Sequence, residues 1–321
     1  MHAPAERQTG SDIETALRAR NPGVRLLPGL LEQMYGFEER RVAPAGTWPS
    51  DLAAAAGQRA LDETELAPGA IDLLIFAATS GDVEEPATAH IVAHKLGVTA
   101  PVLDVKNACN AVLNAMEVAD ALIRAGQYSR VMIVTGERGS VLSDLPVGDR
   151  AELALLLPAL ALGDLGAALV LQASDEPGIL GCAFTANSAG WPTATVSNPY
   201  MTPTLGTLAV HFNSAALAAS FAGMEAAVPQ ALLAMDRTID DIDLICVHQP
   251  SVAFTHSICQ ALGVSPEKVV PIFPRYGNCA TASLPLQLAE AAELGRLRRG
   301  HLVALFGLAS GASAGLVLLR W

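Results

Sequence analysis

Asp104-Val105-Lys106-Asn107-Ala108-Cys109-Asn110 is a short strand-like run that breaks at an Asn-Ala-Cys turn and opens into an apolar-periodic segment. Val112, Ala115, Met116, Ala119, Leu122 and Ile123 follow at helical spacing, and Gly126 stands where a glycine ends a helix. The spacing predicts a strand, a tight turn and a helix with one buried stripe. A cysteine at such a helix start lies among unpaired backbone N–H groups at the positive end of the helix dipole, which favours the thiolate and lowers its pKa. Cys109 is therefore a candidate nucleophile. The competing reading is that of most free cysteines, an inert buried side chain.

The surrounding composition narrows the function. The 321 residues are 51% hydrophobic, with a mean hydropathy of +0.36. The longest apolar stretch, Leu153 to Leu162, is broken by Pro158 and falls short of the roughly 20 residues a membrane span needs, so a buried sheet covered on both faces is expected, and no membrane partner. A formal charge of −12 and a pI near 5.0 argue against nucleic-acid binding. Five cysteines with no C-x-x-C spacing suggest neither a disulfide framework nor a zinc site. Met1 to Gly10 is polar, with no apolar core of a signal peptide, and the expected compartment is the cytoplasm. His90 and His94 are one helical turn apart, but no third ligand accompanies them and no metal is expected.

Around the central stretch the chain repeats itself. Ile71 to Ser80 is a nearly continuous apolar run of strand length, and Asp241 to Ser251 mirrors it, beginning with the same Ile-Asp-Leu. Each is followed by a helix ending in Leu-Gly-Val, at Leu96–Val98 and Leu262–Val264. Each half closes with a strand pair, Arg130–Glu137 with Asp164–Ala173 and His301–Leu308 with Ala314–Trp321. Two similar α/β halves are predicted, residues 1–175 and 176–321, with a loop-rich insertion at about 178–221 that carries Phe184, Trp191, Tyr200, Met201 and Phe212. A duplicated protein of this kind places its site where the halves meet. Among the first residues, Ser50-Asp51 is expected to cap a helix through Leu61, and Glu38 to Arg41 reads as a charged surface segment.

A nucleophilic cysteine needs a base and a group to orient it. His248 follows the predicted strand of the second half, where open α/β sheets present functional side chains. Asn278 lies in a Gly-Asn turn just before a helix and can hydrogen-bond a carbonyl without adding charge. Taken singly, they also read as a core histidine and a helix cap.

The ordered set D-V-x-N-A-C at 104–109, L-G-D-x-G-A-A at 162–168, V-H-Q-P at 247–250, Y-G-N-x-A-x-A-S at 276–283 and G-x-V-L-L-R-W at 315–321 resembles the thiolase superfamily, in its ketoacyl-ACP synthase III branch. The resemblance implies an α/β thiolase fold of two pseudo-duplicated halves in five layers, α-β-α-β-α, and a cytoplasmic homodimer. It implies an acyltransferase that loads an acyl group onto Cys109 and performs a Claisen condensation in fatty-acid or polyketide-type specialised metabolism. His248 and Asn278 would stabilise the enolate, and the backbone N–H groups of Cys109 and Ser310 would form the oxyanion hole. Acyl-CoA or an acyl carrier protein would deliver the substrates, and no cofactor would be needed.

Glu85, with the 107–119 pattern, resembles enzymes that join two acyl thioesters head to head; a carboxylate in an apolar tunnel, reached across the dimer, would remove the α-proton. The alternative is a solvated acidic loop beside Glu84. Asp149-Arg150 resembles a family pair, implying a coenzyme A contact for Arg150, although the stretch to Gly163 is longer than the family's. The helix after His248 lacks the carrier-docking arginine, and the N-terminus shows no first strand. The rival functions are acyl transfer to an oxygen or nitrogen nucleophile, decarboxylative condensation with a malonyl thioester, and a non-catalytic supporting subunit.

Overall fold

The first half builds its sheet around a strand that is apolar at every position. In a computed structural model, which describes residues 1–23, 26–198, 201 and 209–321, the main sheet of this half and its helices run, after the N-terminal segment, through helix α1 (Pro49–Thr64), strand β1 (Leu73–Ala77), α2 (Thr88–Leu96) and β2 (Val102–Val105). It continues with α3 (Ala111–Arg124), β3 (Arg130–Arg138), α4 (Arg150–Leu160) and β4 (Asp164–Gln172). The sheet order is β2-β1-β3-β4, parallel except for the last pair. The second half adds β5 (Ile179–Ala186), β6 (Leu244–Val247), α5 (Val252–Leu262), α6 (Ser283–Glu293), β7 (Leu302–Ala309) and β8 (Ser313–Arg320). Its order is β6-β7-β8-β5, again parallel at β6-β7 and antiparallel afterwards, and Val269 bridges Ile245 where β2 stands in the first half.

Strand alternation explains why both sheets read as continuous apolar runs. Leu73, Ile75 and Ala77 face the inner core together with Leu244 and Cys246 of the second half. Leu74 and Phe76 face α1 and α2, and Ile245 and Val247 face the outer helices of the second half. Helices α3 and α6 lie between the two sheets, with Val112, Ala115, Met116 and Leu284, Leu286, Leu288 buried in the inner core. The layers are thus α-β-α-β-α, as the resemblance implies.

Several local expectations are corrected. Residues 178–221 are not loop-rich throughout, because Ile179–Ala186 forms an edge strand on β8 and Ser214–Ser220 a helix; Tyr200 lies outside the described residues. Helix α1 begins at Pro49 with Trp48 as its cap, and the Asp51 carboxylate accepts the Trp48 N–H at 2.8 Å; Ser50 is instead bonded to Asp82. The N-terminus does carry a strand, Glu6–Thr9, paired antiparallel with Glu39–Val42. Within that pair Arg40 is only 2% exposed, although its neighbourhood reads as surface. It donates to Gln8 Oε1, Ser143 Oγ and the carbonyls of Leu160 and Leu162, with Asp164 nearby to balance its charge.

Among the described residues no single helix is long and apolar enough to cross a membrane; one pair bent by 42°, Ser214–Ser220 with Met224–Ala234, meets the length and composition together.

Candidate active site

Each buried central helix is entered through a tight turn, and the two turns carry Cys109 and Asn278. Asn110 N–H donates to Asn107 O at 3.0 Å and Ala111 N–H to Ala108 O at 3.2 Å, and Ala108 takes φ +44°, a left-handed conformation unusual for alanine. The Asn107 side chain donates to Asn114 Oδ1 at 2.7 Å, which ties the turn to the second turn of α3 and accounts for the N-A-C-x-x-x-x-N spacing. Across the molecule Asn278 Oδ1 accepts the Ala280 N–H at 2.9 Å, with Ala280 at φ +46° ahead of α6. Among the described residues the Asn278 Nδ2 donors have no partner, as its neutral amide requires if it is to meet a carbonyl.

Three cross-links between the halves draw these turns together. Asn110, fully buried, donates its amide to Ser313 O at 3.2 Å and Ser313 Oγ at 3.0 Å, joining the Cys109 turn to the start of β8 and so to the β7–β8 turn that holds Ser310. Asn278 N–H donates to Ala161 O at 2.8 Å and Gly163 N–H to Asn278 O at 3.1 Å; Gly163 and Gly277 lack side chains because the Tyr276 and Ala161 carbonyls occupy those places. Glu137, at the end of β3, accepts the hydroxyl of Thr281, three residues after Asn278. The same carboxylate accepts from Thr79 N–H at 2.9 Å and Thr79 Oγ1 at 2.5 Å.

His248 leaves β6 with its N–H donated to Phe306 O at 3.0 Å, beside Gly307, whose missing side chain is where the Asn110 amide sits. His248 thus leaves its strand beside Gly307, the position whose open space admits Asn110. Its loop is fixed by buried amides: Gln249 donates to Val270 O at 2.8 Å and Gln287 Oε1 at 3.0 Å and accepts from Ile272 N–H at 3.0 Å, while Gln287 donates to Val247 O at 2.9 Å.

The electrostatics differ from the helix-start expectation. Cys109 keeps some exposed surface, but its thiol is enclosed; burial pushes it up to about 12, and the Glu137 carboxylate adds to the rise. Burial thus favours the thiol over the thiolate at Cys109. Burial lowers His248 to about 4, so it is neutral, and among the described residues its Nδ1 has no hydrogen-bond partner.

Two sequence candidates lie apart from this cluster. Glu85 is exposed at the tip of the loop before α2, whose base is tied through Asp82 to Ser50 at 2.9 Å and to Thr88 at 3.1 Å. Arg150 is exposed at the first position of α4, behind the Asp149 cap. Among the described residues neither side chain makes a hydrogen bond or ion pair. His90 and His94 lie on the exposed face of α2. Sequence reasoning did not single out Glu137, Thr281 or Asn110; the one available signal was an acidic residue ending an otherwise apolar strand.

Two duplicated sheets enclosing two buried helices, with a cysteine before one and an asparagine before the other, define a thiolase-fold condensing enzyme. Comparison with known proteins gives the family. Residues 103–188 match 3-oxoacyl-[acyl-carrier-protein (ACP)] synthase III and residues 232–321 match its C-terminal part. The β-ketoacyl-[acyl-carrier-protein] synthase III of Thiobacillus denitrificans is 31% identical over 100% of this chain and 97% of its own. Among solved structures, a variant of Xanthomonas campestris OleA with bound lauric acid and lauroyl-CoA is similar at a TM-score of 0.89 and 26% identity, covering 99% of this chain and 96% of that one. The 3-oxoacyl-[acyl-carrier-protein] synthase III of Aquifex aeolicus is similar at 0.86 and 25%, covering 100% and 97%. The chain belongs to the 3-oxoacyl-[acyl-carrier-protein] synthase III family, and is an acyltransferase of the Claisen-condensing type.

Proposed function

We propose that the chain forms an acyl thioester on Cys109 and joins it to the α-carbon of a second acyl thioester, releasing a 3-oxoacyl thioester. What supports the reading is that the two halves are cross-linked around these turns: Asn110 bonds to Ser313, Asn278 to Ala161, and Glu137, whose charge acts on Cys109, to Thr281 just after Asn278. In the first half-reaction the sulfur attacks the thioester carbonyl, the oxyanion is met by the backbone N–H groups of Cys109 and Ser310, and the departing thiol takes the proton. In the second, the enolate carbon attacks the acyl-Cys109 carbonyl and the cysteine sulfur leaves.

His248 acts there as a donor. With Nδ1 buried and unpaired, a lone pair at that atom costs less than an unpaired N–H, so the ring proton sits on Nε2. Nε2–H and the free Nδ2 of Asn278 then stabilise the enolate oxygen together.

The donor that supplies the enolate loses an α-proton to Glu85 of a second copy. Supporting this, the tip of the Glu85 loop stands clear of its own chain, with Val83 47% exposed, and among the described residues strand β2 pairs only with β1, leaving its other edge open to a partner. The working form is a cytoplasmic homodimer that needs no cofactor. Its substrates are acyl-CoA thioesters, by analogy with the OleA complex with lauroyl-CoA, with Arg150 near the coenzyme. Intact mass after exposure to acyl-CoAs gives an adduct that Cys109→Ala abolishes. Glu85→Ala still forms the adduct but makes no condensed product; normal product from that variant removes Glu85, and product formed only with a malonyl thioester makes the reaction decarboxylative.

A further inference from the structure

The mechanism above leaves one buried acid beside the nucleophile without a task. Glu137 is 2% exposed, yet it is not a lone misfit. One oxygen accepts the Thr79 hydroxyl at 2.5 Å, and the other the Thr79 N–H at 2.9 Å and the Thr281 hydroxyl. Thr281 is itself bonded to Thr135 at 3.2 Å, and it belongs to the short turn that links Asn278 to α6. Thr79 and Thr135 come from the first half and Thr281 from the second, so the carboxylate is the junction between the half that carries the nucleophile and the half that carries the asparagine.

We propose that Glu137 is a positioning residue of the condensing site: clamped between Thr79 and Thr281, it fixes the Asn278 turn against the Cys109 turn and places a negative charge beside the resting thiol. The inference rests on Cys109 being the nucleophile. The charge acts through space, because no hydrogen bond joins Glu137 to Cys109 among the described residues. Among the described residues the ionisable groups that act on it or feel its charge are Cys109, Cys279 and Asp164, all acidic. Burial pushes the Glu137 carboxyl up to about 7, against the threonine hydrogen bonds that favour its charged form. Once ionised, it opposes the thiolate and guards Cys109 against alkylation and oxidation when no acyl thioester is bound.

Two variants separate the charge from the clamp. Glu137→Gln keeps the size and the hydrogen bonding but removes the charge. The rate of Cys109 alkylation by iodoacetamide, followed by peptide mass across alkaline pH, should titrate about one unit lower than in the wild type. That is roughly tenfold faster reaction at a fixed pH below the midpoint. Thr281→Val keeps the shape and the charge but removes the contact that reaches the Asn278 turn. Acylation of Cys109 should persist in it while condensation falls by about tenfold or more, a split that general destabilisation, which lowers both steps together, does not produce. An unchanged or upward-shifted alkylation profile in Glu137→Gln overturns the charge, and equal losses of both steps in Thr281→Val overturn the clamp. If Glu137→Gln does not fold, the Thr281→Val ratio decides alone. Failure of the wild-type protein to acylate Cys109 at all refutes the proposed function instead, while the alkylation profiles still read the charge.

Discussion

Replacing Gly307 by alanine tests how the Cys109 turn is held. A methyl group built at Gly307 in β7 lies 2.0 Å from Asn110 Oδ1 and 3.0 Å from Leu113. The Asn110 amide must move, and with it go its two bonds to Ser313. Overpacking of this kind costs about 1–3 kcal/mol, and the lost buried hydrogen bonds add about 1–3 kcal/mol, so the variant should be less stable by about 2–6 kcal/mol. Asn110→Ala removes the same bonds but clears the space. The double variant should therefore be no less stable than Asn110→Ala alone, a coupling of at least about 2 kcal/mol between sites nearly 200 residues apart in sequence. Denaturant unfolding of the four proteins closes the cycle, and intact-mass acylation rates read the effect on Cys109, which should slow in every variant. Additive losses, or a Gly307→Ala protein within about 0.5 kcal/mol of wild type, would refute the reasoning.

Further expectations follow from the buried charges. Arg40→Met leaves Asp164 and two carbonyls without their cation and should cost about 3–5 kcal/mol in denaturant unfolding; a loss under about 1 kcal/mol would show the arginine to be dispensable. Glu137, raised in the fold from 4.5 to about 7, stabilises the protein in its protonated form, and that contribution is lost as pH rises from 4.5 to 7. His248, lowered from 6.5 to about 4, works in the opposite sense: its neutral form gains stability as pH rises from 4 to 6.5. Each effect is on the order of 3 kcal/mol, so the two cancel over most of the range. Glu137→Gln should uncover the histidine, and its unfolding midpoint should climb with pH between 4.5 and 6.5 more steeply than wild type; parallel slopes would contradict both assignments.

Much of this architecture was legible because parallel strands covered on both faces are written as unbroken apolar runs. Ile71 to Ser80 and Asp241 to Ser251 announce themselves in that way, and the motifs around Cys109, His248 and Asn278 are compact enough to recognise. What was hidden depends on distant partners. The helix-start argument for Cys109 could not weigh enclosure, or a carboxylate 28 residues further on, both of which act to raise its pKa. Arg40 sits in a charged run, and its burial depends on partners far along the chain, Gln8, Ser143, Asp164 and the carbonyls of Leu160 and Leu162. Ile179–Ala186 is an edge strand in a glycine- and threonine-rich region, where the pattern is weak. For α1 the signal was present and misread: Pro49 at the first helical position marks the start that was assigned to Ser50.

The division of labour between sulfur and amide is tested most directly by Asn278→Ala incubated with a pair of acyl-CoAs and read by intact mass and product analysis. The acyl group should accumulate on Cys109 with condensed product reduced by about a hundredfold or more, because loading needs the cysteine and carbon–carbon bond formation needs the carboxamide. Normal yield of the 3-oxoacyl product, or a protein that never acquires the acyl mass, would contradict it.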